Sequence, residues 1–419
     1  MRVSGITLSR YRAFKDRHVL TIAPLTVIIG KNGSGKSLLS RLPLLLATAV
    51  SRDPGGPLDL AAGGVDHAAS FQDIVNMRSA LTFSLGAKIS EGEKSYDFET
   101  TLRYVNETRS LGIEGFSLSV DGVVQMRAEI AAAEHLASLL PVYNITGPAY
   151  TMAEVPLVFD GLFPVDELGD YAELVNTARE AFRLALPMPS YLGPFRAEPE
   201  RAMRQPSQMI RDLGPRGERA LEFLADDRLR HGGQVSTAVS DWFAKSLGHG
   251  VSVDVSGEQP KITISDRASG LEVNLSDTGA GFSQSIPVTV QNIAFQQGRL
   301  SASMLIVEQP ELHLHPAAHG DLADLILTSA SSHGATCIVE THSEQFIMRL
   351  RRRVAEGLDP NAIAIWSLDH KDGEGQEPEA LRVIHLDQNG DPESWPTGVF
   401  EEAFDDLTLM RKASRGRSE

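Results

Sequence analysis

The chain has 419 residues, of which 42% are hydrophobic and 22% are charged, and these proportions are typical of soluble globular proteins. This length exceeds what one small core needs, so we expect at least two lobes. The sequence contains one cysteine, Cys337, which excludes an internal disulfide. No apolar run is long enough for a membrane-spanning helix and the N-terminus has no signal-peptide pattern, so we expect a cytoplasmic protein without a membrane partner.

Acidic residues outnumber basic ones by 55 to 39, which gives a net charge of −16. A surface of this sign disfavours non-specific binding to nucleic acid, so any contact with DNA must be local. Clusters of basic residues are more commonly solvated faces or ion pairs, and both interpretations remain open here. The candidate DNA-binding clusters are Arg349, Arg351, Arg352 and Arg353 on a predicted helix, and Arg411, Lys412, Arg415 and Arg417 in the tail.

In chain order, the residue patterns predict four segments. Residues 1–127 are rich in strand patterns, including a hairpin turn at Asp121-Gly122, and are predicted to form an N-terminal lobe. Residues 128–250 have a mainly helical pattern and are predicted to form a helical insertion. Strand and helix patterns alternate through residues 251–368, as in a parallel sheet flanked by helices, and residues 369–419 are a C-terminal extension.

A glycine-rich stretch near the N-terminus is the strongest functional signal. It lies between an apolar strand and a helix, and its spacing matches the phosphate-binding P-loop, in which main-chain N–H groups surround an anion. Lys36 is predicted to reach the β- and γ-phosphates of ATP, and Ser37 to bind Mg²⁺. The stretch consists of Gly30, Lys31, Asn32, Gly33, Ser34, Gly35, Lys36 and Ser37.

A second strand pattern, Met304 to Glu308, ends in a carboxylate that we predict to be the Walker B ligand of Mg²⁺. Glu308 lies more than half the chain length beyond Ser37. Large lobes must therefore be inserted between the two halves of one nucleotide site, as they are in ABC-type and SMC-type heads. We predict an α/β P-loop NTPase of the ABC/SMC-head type, split by strand-rich and helical insertions.

Two further motifs fit that class. The third core strand is predicted to end at Glu340, and His342 follows it at the position of a switch histidine that contacts the γ-phosphate or the attacking water. Gly281, Ser283 and Gln284 lie at the start of an apolar helix and form a second candidate anion-binding end, which in ABC-type heads faces ATP held by the partner subunit. A tight loop that leads into a helix is the alternative.

Several weaker candidates remain. Arg12 precedes the P-loop at a distance suited to bordering the adenine, and Gln72 is a candidate Q-loop ligand of the metal. His313 and His315 have the spacing of a metal pair, but no third ligand completes a zinc set, so a position at a subunit boundary is favoured. We expect Cys337 to be a small buried hydrophobe.

Together these motifs resemble those of bacterial AAA-type ATPases of the OLD-like and SMC-like branch. The resemblance is carried by Glu308 to Pro316, which reads EQPELHLHP, and by Glu340 to Ser343, which reads ETHS. Further matches are Tyr191 to Arg196, Gly281 to Gln284, Arg349 to Arg353 and Trp395 to Phe400.

The resemblance implies an ATP-dependent head-to-tail homodimer, whose relatives commonly belong to anti-phage or DNA-repair assemblies. We therefore expect an ATPase subunit that regulates a separate effector protein in phage defence. The alternatives are an ATP-gated scaffold with negligible hydrolysis and a DNA-repair ATPase similar to RecF.

One departure from the ABC pattern concerns catalysis, because Gln309 occupies the position where a glutamate usually activates water. An amide can orient water but cannot accept its proton at neutral pH. Either hydrolysis is slow and ATP acts mainly as a clamp, which we favour, or Glu311 or Glu340 supplies the base. The sequence assigns no chemistry to Tyr191 to Arg196, although Arg196 could reach a phosphate or a partner.

Overall fold

The structure is a computed structural model that describes residues 1–51, 56–78, 82–138, 140–148, 150–165, 168–257, 259–266, 268–369 and 380–393. Its α-helices are α1 (Lys36–Ser40), α2 (Leu42–Ala49), α3 (Ala172–Ala185), α4 (Ala220–Arg230), α5 (Gln234–Leu247), α6 (Ala280–Gln296), α7 (Pro316–Ala330) and α8 (Glu344–Ala355). The strands of the first half of the chain are β1 (Arg2–Ser9), β2 (His18–Thr21), β3 (Leu25–Gly30), β4 (Phe83–Glu91), β5 (Lys94–Val105), β6 (Ser110–Val120), β7 (Val123–Ile130), β8 (Val142–Thr146), β9 (Thr151–Pro156), β10 (Phe159–Asp160) and β11 (Phe163–Pro164). The later strands are β12 (Ser190–Leu192), β13 (His249–Asp254), β14 (Lys261–Asp266), β15 (Glu272–Asn274), β16 (Met304–Glu308), β17 (Thr336–Glu340), β18 (Ile363–Asp369) and β19 (Ala380–Ile384).

A six-stranded sheet in the order β12-β16-β17-β3-β18-β19 carries the P-loop strand β3 near its middle. Its neighbouring strands are parallel except for the antiparallel pair β18 and β19. Every residue of β3, β16 and β17 is buried, as expected for parallel strands covered on both faces. The predicted core strands that precede the P-loop and end at Glu308 and Glu340 are therefore confirmed.

Two hydrophobic cores lie on opposite faces of this sheet. Successive strand residues point to opposite faces, and along β3 Ile28 belongs to one core while Val27 and Ile29 belong to the other. The first core contains α2, α3 and the N-terminal strands, and the second contains the helices from α4 to α8. The sheet thus holds the P-loop rigidly between two packed lobes.

An antiparallel sheet of eight strands, in the order β2-β1-β4-β5-β6-β7-β8-β9, forms most of the N-terminal lobe. The predicted hairpin is confirmed, because Val120 pairs with Val123 around Asp121 and Gly122, whose φ angles are 50° and 79°. The prediction of helix from residue 128 onward is wrong as far as Pro164. Strand β7 runs across the 127/128 boundary, and β8 to β11 follow it, because pairing with the preceding strands outweighs a weak helical period.

The rest of the predicted insertion contains the helices α3, α4 and α5, but it also contributes β12 to the six-stranded sheet. The small antiparallel sheet β13-β14-β15 begins at its end. The predicted division into four segments is otherwise untested, and most of the predicted extension 369–419 lies outside the described residues. Among the described residues, no helix combines the length and the apolar character that crossing a membrane requires.

Candidate nucleotide site

The P-loop has the backbone that its glycines predict. Gly30, Gly33 and Gly35 have φ angles of 147°, 79° and 96°, a region that L side chains rarely adopt. A Cβ atom on Gly30 would lie 2.7 Å from the carbonyl oxygen of Leu368, so the loop also needs a glycine there for space. Asn32 and Gly33 form the exposed tip of the loop.

Polar groups inside the loop fit a phosphate. The Lys36 ammonium donates to the carbonyl oxygens of Gly30 and Lys31 over 3.0 and 2.6 Å, which holds it inside the loop. Ser34 Oγ is buried and has no hydrogen-bond partner within the described part of the chain. An anion bound in this loop would satisfy that hydroxyl and pair with the Lys36 charge.

Ser37 pairs with the carboxylate of Glu340, whereas Glu308, the other predicted Mg²⁺ ligand, is held elsewhere. Ser37 Oγ donates to Glu340 Oε2 over 2.8 Å. The strand order explains this pairing, because Glu340 ends β17, which is adjacent to β3, whereas Glu308 ends β16 on the far side of β17. Neighbouring strands are about 4.8 Å apart, so the main chain at Glu308 lies roughly twice as far from the P-loop strand as the main chain at Glu340 does.

Glu308 is instead held by the helical segment that follows the P-loop. Its Oε1 accepts hydrogen bonds from Ser40 Oγ at 2.8 Å and Arg41 Nε at 2.7 Å, and its Oε2 accepts from Arg41 Nη2 at 2.7 Å. The Glu308 side chain is 0% exposed, and the Arg41 guanidinium lies 5.8 Å from the centre of the Tyr191 ring. This buried, bidentate ion pair satisfies the carboxylate that we predicted to bind Mg²⁺.

The electrostatics of the two carboxylates fit a site for a cation. Burial and the nearby Glu308 charge raise the pKa of Glu340 to about 7, against the opposing effects of the Ser37 hydrogen bond and Lys36. Burial also lowers the pKa of Lys36, although Glu340 opposes that shift. A hydroxyl and a carboxylate are oxygen ligands of the kind that Mg²⁺ prefers. Ser37 and Glu340 therefore fit the predicted metal, with Glu308 as a second nearby charge.

The turn after β16 places the remaining catalytic candidates. Gln309 has a φ of 46°, and its N–H donates to the carbonyl oxygen of Glu340 over 2.7 Å. Glu311 Oε1 accepts a 2.7 Å hydrogen bond from the main-chain N–H of His342. His342 is exposed at the surface, and partial desolvation of its ring together with the charge of Lys36 lowers its pKa to about 4. The structure thus brings all five catalytic candidates to one edge of the sheet.

The predicted signature segment lies at the start of α6, but its glutamine points inward. Gln284 is buried, and its side chain accepts from the N–H of Arg196 at 3.1 Å and donates to the Arg196 carbonyl at 3.4 Å. A Cβ on Gly281 would lie 2.9 Å from the carbonyl oxygen of His313, so this glycine allows close packing against the turn after β16. Of the three predicted residues, Gly281 and Ser283 are half-buried, and Gln284 is engaged within its own chain.

Two weaker candidates have different outcomes. Arg12 lies in a turn close to the P-loop, because Phe14 of the same turn would be 3.6 Å from a Cβ atom placed on Gly35. The Arg12 side chain lines a surface cleft of about 770 Å³ and donates to the carbonyl oxygen of His67 over 3.1 Å. Its predicted contact with the adenine stays a prediction. Gln72 is exposed in the short 3-10 helix Phe71–Ile74, and within the described residues it forms no hydrogen bond with Ser37 or Glu308.

His315 has a structural role, and the expected position of His313 and His315 at a subunit boundary stays a prediction. His315 caps α7 by accepting from the N–H of Ala317, and within the described ranges no group of three or more potential ligands could hold a metal ion.

Each arginine of the helical cluster forms an ion pair with a carboxylate. These pairs are Arg349 with Asp321 and Asp324, Arg351 with Asp391, Arg352 with Glu356, and Arg353 with Asp324 and Glu356. The tail cluster from Arg411 to Arg417 lies outside the described residues.

Sequence reasoning missed Arg41 and left Arg196 without a role. Arg41 interrupts the apolar run from Leu38 to Leu46, and a lone charge in such a run signals a buried partner of opposite sign. Arg196 is 3% exposed and donates to the carbonyl oxygens of Glu308 and Gln309, and its reach to a phosphate or a partner stays a prediction. No pattern in the sequence points to those carbonyl groups.

Comparison with known proteins agrees with this geometry. Residues 233–347 match the family described as AAA ATPase domain, a segment that contains α6, β16 and β17 and packs against the P-loop. The comparison with curated proteins gave no match. The P-loop at the end of β3 and the order of the parallel strands are those of an α/β P-loop NTPase, and residues 233–347 are similar to the AAA ATPase domain family.

Similar solved structures are SMC head domains. A crystal structure of an SmcHead bound to the C-winged helix domain of ScpA is 15% identical, with a TM-score of 0.48, and the match covers 93% of this chain and 99% of that chain. The SMC head domain from Thermotoga maritima is 11% identical, with a TM-score of 0.45 and coverage of 92% and 100%. An Smc head with an extended coiled coil, bound to the C-terminal domain of ScpA derived from Pyrococcus furiosus, is 12% identical, with a TM-score of 0.46 and coverage of 98% and 99%.

Proposed function

We propose that this chain is an ATP-dependent switch subunit that binds Mg²⁺-ATP in its P-loop, hydrolyses it slowly and pairs head to tail with a second copy. The observation that carries the proposal is the convergence of Lys36, Ser37 and Glu340 with the turn at Gln309. Lys36 and the loop N–H groups would hold the β- and γ-phosphates, and Ser37 and Glu340 would hold Mg²⁺. Bound Mg²⁺ supplies charge neutralisation at the phosphate oxygens.

Slow turnover is supported by the amide at position 309 and by the hydrogen bonds of the nearby acidic residues. Gln309 can orient water through its amide but cannot take its proton. Glu311 Oε1 holds the main chain of His342, and Glu340 Oε2 accepts from Ser37, so one oxygen of each alternative base is engaged with another group. A site arranged in this way favours holding ATP over rapid hydrolysis.

The partners follow from the resemblance of the motifs. We propose that a second copy of the chain faces the P-loop with its signature segment, Gly281 to Ser283, and that the ATP-bound dimer regulates a separate effector protein in phage defence. The structures of SMC heads bound to ScpA domains are complexes of those proteins. A scaffold with negligible hydrolysis is the second candidate, and the amide at Gln309 is the observation that favours it.

Calorimetry and steady-state turnover of the full-length protein test the proposal. We expect binding of Mg²⁺-ATP, loss of that binding in Lys36→Ala, and turnover well below one per second. Sedimentation with and without ATP tests the dimer. Absence of any affinity for adenine nucleotides would reject the ATPase assignment, and turnover of tens per second would reject the slow clamp.

A further inference from the structure

The loop after β12 contains a buried arginine that links two parts of the nucleotide site. Arg196 Nη2 donates to the carbonyl oxygen of Glu308 over 2.6 Å, and Nη1 donates to the carbonyl oxygen of Gln309 over 3.1 Å. These carbonyls belong to the last residue of β16 and to the first residue of the turn that follows it. The guanidinium therefore contacts the main chain of the turn and not its side chains.

The main chain of Arg196 is tied to the start of α6. Its N–H and its carbonyl oxygen both bond to the Gln284 side chain, at 3.1 and 3.4 Å. On either side, Gly193 N–H donates to Pro215 and Ala197 N–H donates to Arg216, over 2.8 and 2.9 Å. The loop is therefore held at four points, and two of them join Arg196 to the start of α6 through Gln284.

The turn that Arg196 contacts is strained. Gln309 has a φ of 46°, which non-glycine residues rarely adopt, and such a conformation persists only when neighbouring bonds over-determine it. The N–H of Gln309 donates to the Glu340 carbonyl over 2.7 Å, and its own carbonyl accepts from Arg196 Nη1 and from the Leu312 N–H, each at 3.1 Å. Loss of the arginine would remove one of the three main-chain hydrogen bonds that hold this residue.

A guanidinium in this position is an unfavourable choice for packing alone. Arg196 is 3% exposed, its Nε is buried without a hydrogen-bond partner in the described part of the chain, and burial lowers its pKa to about 10 although Glu311 lies nearby. A buried charge is weak evidence for stability, since apolar residues of similar volume that replace a whole buried ion pair are often neutral. What an apolar residue cannot replace is the pair of hydrogen bonds to the turn.

We propose that Arg196 is a positioning residue, which holds the Gln309 amide in its working orientation and links that orientation to the signature segment through Gln284. The inference rests on the proposed ATPase function. It predicts that Arg196 acts on turnover through Gln309, while the affinity of the P-loop for Mg²⁺-ATP is left intact.

A double-mutant cycle on the full-length protein tests this link. In Arg196→Met we expect kcat to fall about 10–100-fold, as for loss of groups that orient a site, with KM for ATP within about threefold of wild type. In Gln309→Ala kcat should fall as well. The double variant should be no slower than Gln309→Ala alone. Multiplicative losses in the double variant, or an unchanged kcat in either single variant, would overturn the proposal.

Control variants distinguish an effect of Arg196 on Gln309 from a loss of stability and from a failure of the proposed ATPase function. Arg179→Met removes another largely buried arginine, which donates to the Ser51 carbonyl and to Asp160, and it should lower the melting temperature without changing kcat. If Arg196→Met does not fold, Arg196→Lys takes its place in the cycle, since one ammonium can still donate to one of the two carbonyls. A wild-type protein without turnover would instead refute the proposed function, which keeps the two failures distinct.

Discussion

Ser37 donates a 2.8 Å hydrogen bond to Glu340, which lies on the strand beside the P-loop strand, while Ser40, one turn further along, makes a bond of the same length to Glu308. Two serines and two buried carboxylates thus form parallel pairs at one sheet edge. The pairs make a matched comparison, because only the first contains the P-loop serine.

Replacing each serine in turn tests whether Glu340 or Glu308 is the carboxylate that faces the metal. We expect Ser37→Ala to lower the affinity for Mg²⁺-ATP about 10–100-fold. Ser40→Ala should leave that affinity nearly unchanged and lower the free energy of unfolding by about 1–3 kcal/mol, because buried Glu308 loses a donor. Calorimetry with Mg²⁺-ATP and chemical denaturation measure both quantities. Equal losses of affinity would show that Glu308 faces the metal as much as Glu340 does.

Removal of Arg41 leaves the buried Glu308 carboxylate without its bidentate partner. We expect Arg41→Met to destabilise the fold by about 3–5 kcal/mol, and the double variant Arg41→Met/Glu308→Gln to regain much of that loss because no uncompensated charge remains. Denaturant unfolding of the three proteins checks this. Additive losses in the double variant would contradict the coupling.

Substitution of Gln309 by glutamate adds the missing base. If hydrolysis is limited by proton transfer, Gln309→Glu should raise turnover by at least about 10-fold and shorten the lifetime of the ATP-bound dimer. Phosphate release and analytical sedimentation are the measurements. Gln297→Glu, at the exposed end of α6, adds the same charge elsewhere and should change neither. An unchanged turnover in Gln309→Glu would argue for a scaffold.

Stability should depend on the protonation of His67. Burial, with Arg41 and Arg12 in the same direction, lowers the pKa of His67 below 6.5, against the effect of its hydrogen bond to Ala62. The unfolded chain therefore binds the proton first, so stability is full above about pH 6.5 and falls as the pH drops below it. Melting temperatures at pH 8 and pH 5.5 should differ less in His67→Gln than in wild type. An equal pH dependence in both proteins would exclude His67 as a contributor.

DNA should not stimulate turnover through the helical arginine cluster. Arg349, Arg351, Arg352 and Arg353 are paired with carboxylates, and the net charge is −16. We expect the full-length protein to show the same turnover with and without duplex DNA at about 0.15 M salt. Stimulation that persisted after removal of residues 394–419 would contradict this expectation and revive the RecF-like alternative.

The sequence predicted the elements whose signal is local. The P-loop, the strands ending at Glu308 and Glu340, and the hairpin at Asp121-Gly122 each follow from residue order within a short window. Helix was predicted for residues 128–164 because scattered apolar residues there imitate a helical period, whereas pairing with β6 and β7 makes them strands.

Partner choice within the site could not be read from the sequence. Both Glu308 and Glu340 end buried strands, and only the sheet order decides which one meets Ser37. Arg196 contacts carbonyl oxygens, which every residue has, so its role leaves no trace in the pattern of side chains. The inward orientation of Gln284 likewise depends on a loop that is distant in sequence.

The position of β3 between β17 and β18 has a consequence for biosynthesis. The apolar segment Leu25–Gly30 leaves the ribosome early, yet both of its neighbours are translated near the end of the chain, roughly 15–60 s later at about 5–20 residues per second. The antiparallel sheet can assemble in the meantime, because its strands all come from the first 156 residues. The nascent chain therefore carries Leu25–Gly30 without either of its neighbouring strands for most of translation.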